Sequence, residues 1–182
     1  MLRSGGYRDT YITKIRDTLT QDLMENSNVE TQKSFPCVLF LNGEYWGIYN
    51  LQERYTDSYF EEKYGIDKNN IIVVEKDEID EGNESDIQYF NDLKNFFLNT
   101  DLSLDNNYQE STNLIDIDSF IDYVSAELIV GNVDWPYNNV KMYRSRTIGE
   151  NTKEDGKWRF CLYDTDDSMG IIEKCYYNTN PF

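Results

Sequence analysis

The chain contains no histidine. Hydrolases built on Ser-His-Asp or Cys-His, His-ligated zinc and histidine general bases are therefore excluded. Any chemistry must run on carboxylates, amides, Lys, Arg, Tyr and a bound metal. Positive charge is scarce: 17 Lys and Arg stand against 34 Asp and Glu, a formal net charge of −17. The basic residues are scattered, which argues against nucleic acid or an anionic membrane surface, since both need a positive patch. A basic protein substrate would suit this surface. The three cysteines, Cys37, Cys161 and Cys175, form no Cys-x-x-Cys pair, and their odd count does not suggest a disulfide framework. Cys37 and Cys161 lie in apolar runs and read as buried thiols. No apolar run approaches the roughly 18 residues of a membrane span. Met1-Leu2-Arg3-Ser4-Gly5-Gly6 opens straight into polar sequence, which reads as no signal peptide. Neither Gly-x-Gly-x-x-Gly nor a Walker A pattern occurs.

What is present suits one domain with a real core: 182 residues, 39% hydrophobic and 15% aromatic. Thr10 to Ser27 carries Ile12, Ile15, Leu19 and Leu23 at helical spacing, with Asp9 or Thr10 available to cap it. Cys37–Leu41 and Tyr45–Leu51 flank Asn42-Gly43, the strongest short hairpin signal, because both turn residues tolerate positive φ. In the second of these strands Tyr45, Trp46 and Tyr49 alternate, so one face is expected in the core and the other against a ligand or the core. A short helix is expected from Asp57 to Tyr64, ended by Gly65, and a buried strand at Ile71–Val74. The acid-dense stretch Glu75–Asp86 reads as a solvated loop. Helices follow at Asp86–Leu98, and from Asp118 as cap through Val130, with Gly131 as the stop. Strands at Val140–Tyr143 and Lys157–Tyr163 enclose a polar loop, Thr147–Gly156. The expected class is α+β.

The candidate chemistry lies between Gly131 and Gly170. Asp134 sits in a loop after a helix stop, stiffened by Trp135 and Pro136, with Asn132 bracing it and Asn139 five positions on. Two strands later come Asp164 and Asp166. Asp, then Asn five residues later, a strand, a reversal, a strand and an exit Asp is the catalytic layout of protein kinases. There a carboxylate orients a hydroxyl, and Asn and Asp oxygens hold Mg²⁺ on ATP. His-Arg-Asp and Asp-Phe-Gly are both absent. Asn138 competes with Asn139, and the spacing favours Asn139. Counting Asp164 as position 1 of an EF-hand puts Met169 where Gly is required and Cys175 where Glu is required, so magnesium fits better than calcium. The bland readings are that Asp134 forms a turn, Asn139 caps it and the later acids make an Asp-rich turn.

Asn42-Gly43-Glu44-Tyr45-Trp46-Gly47-Ile48-Tyr49, Leu51-Gln52-Glu53-Arg54, Gly131-Asn132-Val133-Asp134 with Asn138-Asn139, and Trp158 leading to Tyr163-Asp164-Thr165-Asp166 together resemble the CotH family. These are spore-coat-protein-H-like atypical protein kinases. The resemblance spans about Leu2 to Gly170. It implies an atypical protein-kinase-like fold with antiparallel hairpins and transfer from ATP, with Mg²⁺, to Ser or Thr of surface, secreted or spore-coat proteins. By the same resemblance the protein is extracellular, cell-surface or spore-associated. Asp134 then serves as the catalytic residue and Asn139, Asp164 and Asp166 as metal ligands. Arg3 lies close to where the family's ATP-contacting basic residues fall. Glu53 either pairs with a nucleotide-binding Lys or helps order the metal, and Arg54 either contacts phosphate or simply neighbours Glu53 on the surface. Members carry further sequence before and after this stretch, so the chain reads as one domain over residues 1–182, incomplete at both ends. Two rivals stand beside this reading: a catalytically inactive kinase-like interaction module, and a glycosidase using two carboxylates across a cleft.

Overall fold

The computed structural model describes residues 1–6 and 8–170. Asn42 and Gly43, at φ 51° and 85°, close a two-residue turn between β2 (Ser34–Leu41) and β3 (Glu44–Gln52). Positive φ at both positions is what such a turn needs to match the strand twist. β1 (Leu2–Arg3) adds antiparallel at the far end of β3, with Leu2 opposite Leu51 and Arg3 opposite Asn50. The resulting sheet has the order β1-β3-β2. A second antiparallel sheet contains β4 (Ile71–Glu75), β5 (Glu78–Glu81), β6 (Lys141–Ser145) and β7 (Arg159–Cys161), ordered β5-β4-β6-β7. The helices are α1 (Arg16–Leu23), α2 (Asp57–Tyr64), α3 (Ile87–Asn99), α4 (Asp105–Leu114) and α5 (Ile117–Val130). The class is α+β.

The second sheet is covered on both faces. Ile71, Val73 and Tyr143 pack with Tyr55, Phe60 and Ile66 on one side, and Ile72, Val74 and Met142 with Phe90, Leu93 and Trp158 on the other. This two-sided burial is why β4 reads as an unbroken apolar run instead of an alternating one. A third cluster joins Tyr123 and Ala126 of α5 to Val29, Trp135 and Leu162. α2 runs over the residues the sequence indicates, with the Thr56 side chain accepting from the Tyr59 amide at its start and Gly65 (φ 71°) at its end.

Several expectations are corrected. The first helix is eight residues long and begins after Ile12 and Ile15, and the expected apolar stripe faces out: Ile12, Ile15, Leu19 and Leu23 are exposed, while Asp17, Thr20 and Gln21 are buried. Its inner side meets a seam of backbone polar groups, and hydrogen bonding there outweighs burying the stripe. Gln21 spans that seam, donating to the Leu162 carbonyl at 2.9 Å and accepting from the Gln32 amide at 3.0 Å. α5 is capped by Asp116, which accepts from the Ser119 amide, not by Asp118. It too turns apolar residues outward, Leu128 and Ile129 among them.

The acidic stretch is not all loop. Glu78–Glu81 pairs with β4, with Ile79 tucked against the core and Asp80 meeting Lys141 at 2.7 Å. α4 has no counterpart in the sequence reading, because its polar residues show no apolar period. Tyr45 and Trp46 are exposed, and Cys37 is only half-buried. Cys161 is buried, and Cys175 lies outside the described residues.

The inverted α1 makes a direct test. Gln21→Leu should lower the unfolding free energy by about 1–3 kcal/mol, since it orphans the buried Gln32 amide and leaves the Leu162 carbonyl with the Tyr55 hydroxyl alone. Leu23→Gln should stay within about 0.5 kcal/mol of wild type. Denaturant titration of both variants checks the orientation.

Candidate active site

α5 ends at Gly131 (φ 62°), whose amide bonds back to the Glu127 carbonyl. Asn132 is buried, and its Oδ1 accepts the Asp134 amide at 3.2 Å, which braces the loop carrying Asp134. Two backbone bonds lash this loop to the segment after β7: Val133 N to Asp167 O at 3.1 Å, and Met169 N to Val130 O at 2.7 Å. Asn139 (φ 60°) and Asp164 (φ 55°) both hold left-handed backbone, a sparsely populated region for residues with a side chain. The two are joined, with Asn139 Nδ2 donating to the Asp164 carbonyl at 3.1 Å.

A cleft of about 490 Å³ opens beside these loops, lined by Arg3, Gly6, Arg8, Asp134, Tyr163, Asp164, Asp166 and Asp167, with Met1 at its edge. Arg3 reaches into it from β1. Its guanidinium bonds Asp164 and lies 3.6 Å from Asp166 and 3.4 Å from Asp17. Arg8 pairs with Asp167 at 2.6 Å. Burial pushes the Asp166 carboxyl up, with Arg3 opposing that shift and Asp17 and Asp9 adding to it. Asp167 is raised for the same first reason, with Arg8 opposing and Asp166 and Asp134 adding. The floor is α1: Asp17 accepts from the Thr165 amide at 2.9 Å and from Gln52 Nε2 at 2.7 Å.

The fold thus draws Arg3, Asp134, Asp164 and Asp166 to one cleft, and Asn139 adjoins it through the Asp164 carbonyl. Glu53 and Arg54 do not line it. The Glu53 carboxylate accepts the Lys33 amide at 2.7 Å, tying off the hairpin base, and exposed Arg54 pairs with Asp80 at 3.2 Å. Arg8, Asp17, Asp167 and Glu127 were not singled out from the sequence. Asp17 and Gln21 do carry a signal, as two polar residues one helical turn apart. Among the described residues, no group of three or more His, Cys, Asp or Glu side chains converges as a metal cage.

Glu127 lies behind the loop and is almost wholly buried. Burial pushes its carboxyl up to about 7, opposed by the nearby Asn132 amide and reinforced by Asp17. The unfolded chain releases this proton near the ordinary value of 4.5. The folded state therefore binds more protons between those values, and stability falls as pH rises from about 4.5 to about 7. Glu127→Gln should consequently gain about 3 kcal/mol over wild type at pH 8 and nothing at pH 4, as denaturation at the two pH values will show.

A loop Asp after a helix stop, a strand pair and a cluster of acids at the strand exit define a protein-kinase-like scaffold. The chain belongs to the CotH kinase protein family, whose model matches residues 5–181, and its function is kinase-like at that level. No curated protein matches it.

Gly6 (φ 74°) admits no side chain, because a Cβ built there would overlap the Asp166 carboxylate. Gly6→Ala should cost about 1–3 kcal/mol and displace Asp166 from the cleft. Thermal denaturation, together with the acid titration of Asp166 followed by NMR, checks both effects.

Proposed function

We propose that this protein transfers the γ-phosphoryl group of ATP to Ser or Thr hydroxyls of surface, secreted or spore-coat proteins. The observation that carries this reading is a single cleft in which Asp134 faces two carboxylates already bridged by a guanidinium. Arg3 is in effect a stand-in cation, and the pair it bridges suits a hard divalent ion. Two carboxylates are the hard oxygen donors that Mg²⁺ takes in nucleotide sites. Asp164 and Asp166 would hold it, with Asn139 contributing Oδ1, since its Nδ2 is committed to the Asp164 carbonyl. Bound there, the metal would offset charge on the triphosphate.

Asp134 orients the acceptor hydroxyl and receives its proton as the oxygen bonds to the γ-phosphorus and the bond to ADP breaks. Arg3 and Arg8 line the same cleft and offer positive charge to the phosphates. The acidic exterior, at −17, favours basic acceptor proteins. A cleft holding two arginines among its acids suits a polyanionic substrate better than a glycoside. The rival interaction module draws on one observation, the exposed aromatic and aliphatic side chains of the β2–β3 hairpin.

Calorimetry with Mg²⁺-ATP separates the readings. Wild type should bind, and Asp164→Ala should weaken binding about tenfold or more, consistent with loss of a charge-matched ligand. Asp134→Asn should keep nucleotide affinity within about twofold while phosphotransfer drops about a hundredfold or more. A folded protein that binds no nucleotide overturns the kinase reading in favour of the module.

A further inference from the structure

We infer that Asp17, the second residue of α1, is a positioning residue that sets how the Asp164 and Asp166 carboxylates stand in the cleft. This rests on reading those two acids as the metal ligands. Asp17 is buried and does not itself line the cleft. Its Oδ1 takes two bonds from a single residue, the Thr165 amide at 2.9 Å and the Thr165 hydroxyl at 3.2 Å. Thr165 stands between the two acids and is wholly buried. Its side chain goes down to α1, while both of its neighbours line the cleft.

The amide that Asp17 receives belongs to the peptide joining Asp164 to Thr165. The carbonyl of that same peptide accepts Asn139 Nδ2 at 3.1 Å. One peptide plane is thus held at both ends, by a carboxylate from α1 and by an amide side chain five residues after Asp134. Asp164 depends on this grip, because its backbone is left-handed at φ 55°, and a residue with a side chain keeps that conformation only where its surroundings enforce it. Asp17 is itself anchored. Its Oδ2 accepts Gln52 Nε2 at 2.7 Å, and α1 starts where the Arg16 amide bonds the Asp9 carboxylate at 3.2 Å. Two carboxylates share one cation well only when their separation is fixed beforehand, and groups that orient ligands do this without touching the ion. Asp17 supplies that fixing from beneath.

The test compares wild type, Asp17→Ala, Thr165→Val and Thr165→Ser by two readouts that need no catalysis. The first is amide hydrogen exchange at Thr165 in the nucleotide-free protein. The second is calorimetric affinity for ATP, measured once with Mg²⁺ and once in EDTA. Asp17→Ala should speed exchange at Thr165 about tenfold and weaken Mg²⁺-ATP binding about tenfold. Its affinity for ATP in EDTA should not fall, a split that a general loss of structure would not produce. Thr165→Val keeps the branched shape without the hydroxyl and should weaken Mg²⁺-ATP binding about threefold or more, whereas Thr165→Ser keeps the hydroxyl and should stay within about twofold of wild type. That pair keeps the test decisive if Asp17→Ala misfolds. Equal behaviour of the Val and Ser variants, or a parallel fall of both affinities in Asp17→Ala, overturns the inference. A wild-type protein that binds no nucleotide defeats the reading of Asp164 and Asp166 as ligands, while exchange at Thr165 still decides whether Asp17 holds the segment.

Discussion

The carboxylate of Asp17 is the point on which the rest of the structure turns. It is buried, and it receives the Thr165 amide and hydroxyl on one oxygen, and Gln52 and Arg3 on the other. Four separate pieces of chain therefore meet at one group: α1, the end of β3, the short β1, and the segment leaving β7. Burying a carboxylate costs several kcal/mol in lost hydration. Charged hydrogen bonds of about 1.5–3 kcal/mol each can offset that only if all are made together. The arrangement is accordingly all-or-none, and it fixes Thr165 between Asp164 and Asp166. The helix that the sequence presents as amphipathic serves here as a polar platform under the cleft.

The cleft itself is a balance of like charges held at short range. Asp164, Asp166 and Asp167 stand within four residues, and burial already raises two of them. Arg3 and Arg8, both from the N-terminal segment, keep them together. The cleft remains acidic, with four aspartates to two arginines, and the two cations stand where three of those acids crowd together. The backbone contributes as well. Asn139 and Asp164 occupy left-handed conformations and are bonded to each other. Such conformations persist when surrounding structure enforces them, and they gather at functional sites. Here the bonds from Val133 to Asp167 and from Met169 to Val130 supply that enforcement.

On the outside the usual arrangement is partly inverted. The β2–β3 hairpin contains one charged residue, Glu44, and exposes Phe35, Val38, Phe40, Tyr45, Trp46, Ile48 and Leu51. α1 and α5 likewise turn aliphatic residues to solvent. The second sheet, by contrast, is covered on both faces and supplies the rigid body of the fold. The cleft lies where the covered part meets the exposed part, which is where Arg3 of the first sheet's edge strand, and Arg8 beyond it, face the acids following the second sheet.

Local chemistry was legible in the sequence. The Asn42-Gly43 turn, the stops at Gly65 and Gly131 and the short helix α2 each follow from what a few adjacent residues permit in φ and in capping, so composition alone determines them. The four-residue buried run of β4 and the bracing role of Asn132 belong with these. The meeting of Arg3, Asp134, Asp164 and Asp166 in one cleft is placed by the fold, since 161 residues separate Arg3 from Asp164. Only the tertiary structure decided which face of α1 turns inward, that the acidic stretch supplies a strand, and that Glu53 and Arg54 serve the hairpin base and Asp80. Apolar periodicity measures what a segment would gain by burial, but not which backbone groups its neighbours leave in need of partners. In this protein that second demand, concentrated around Asp17 and Gln21, determined the orientation.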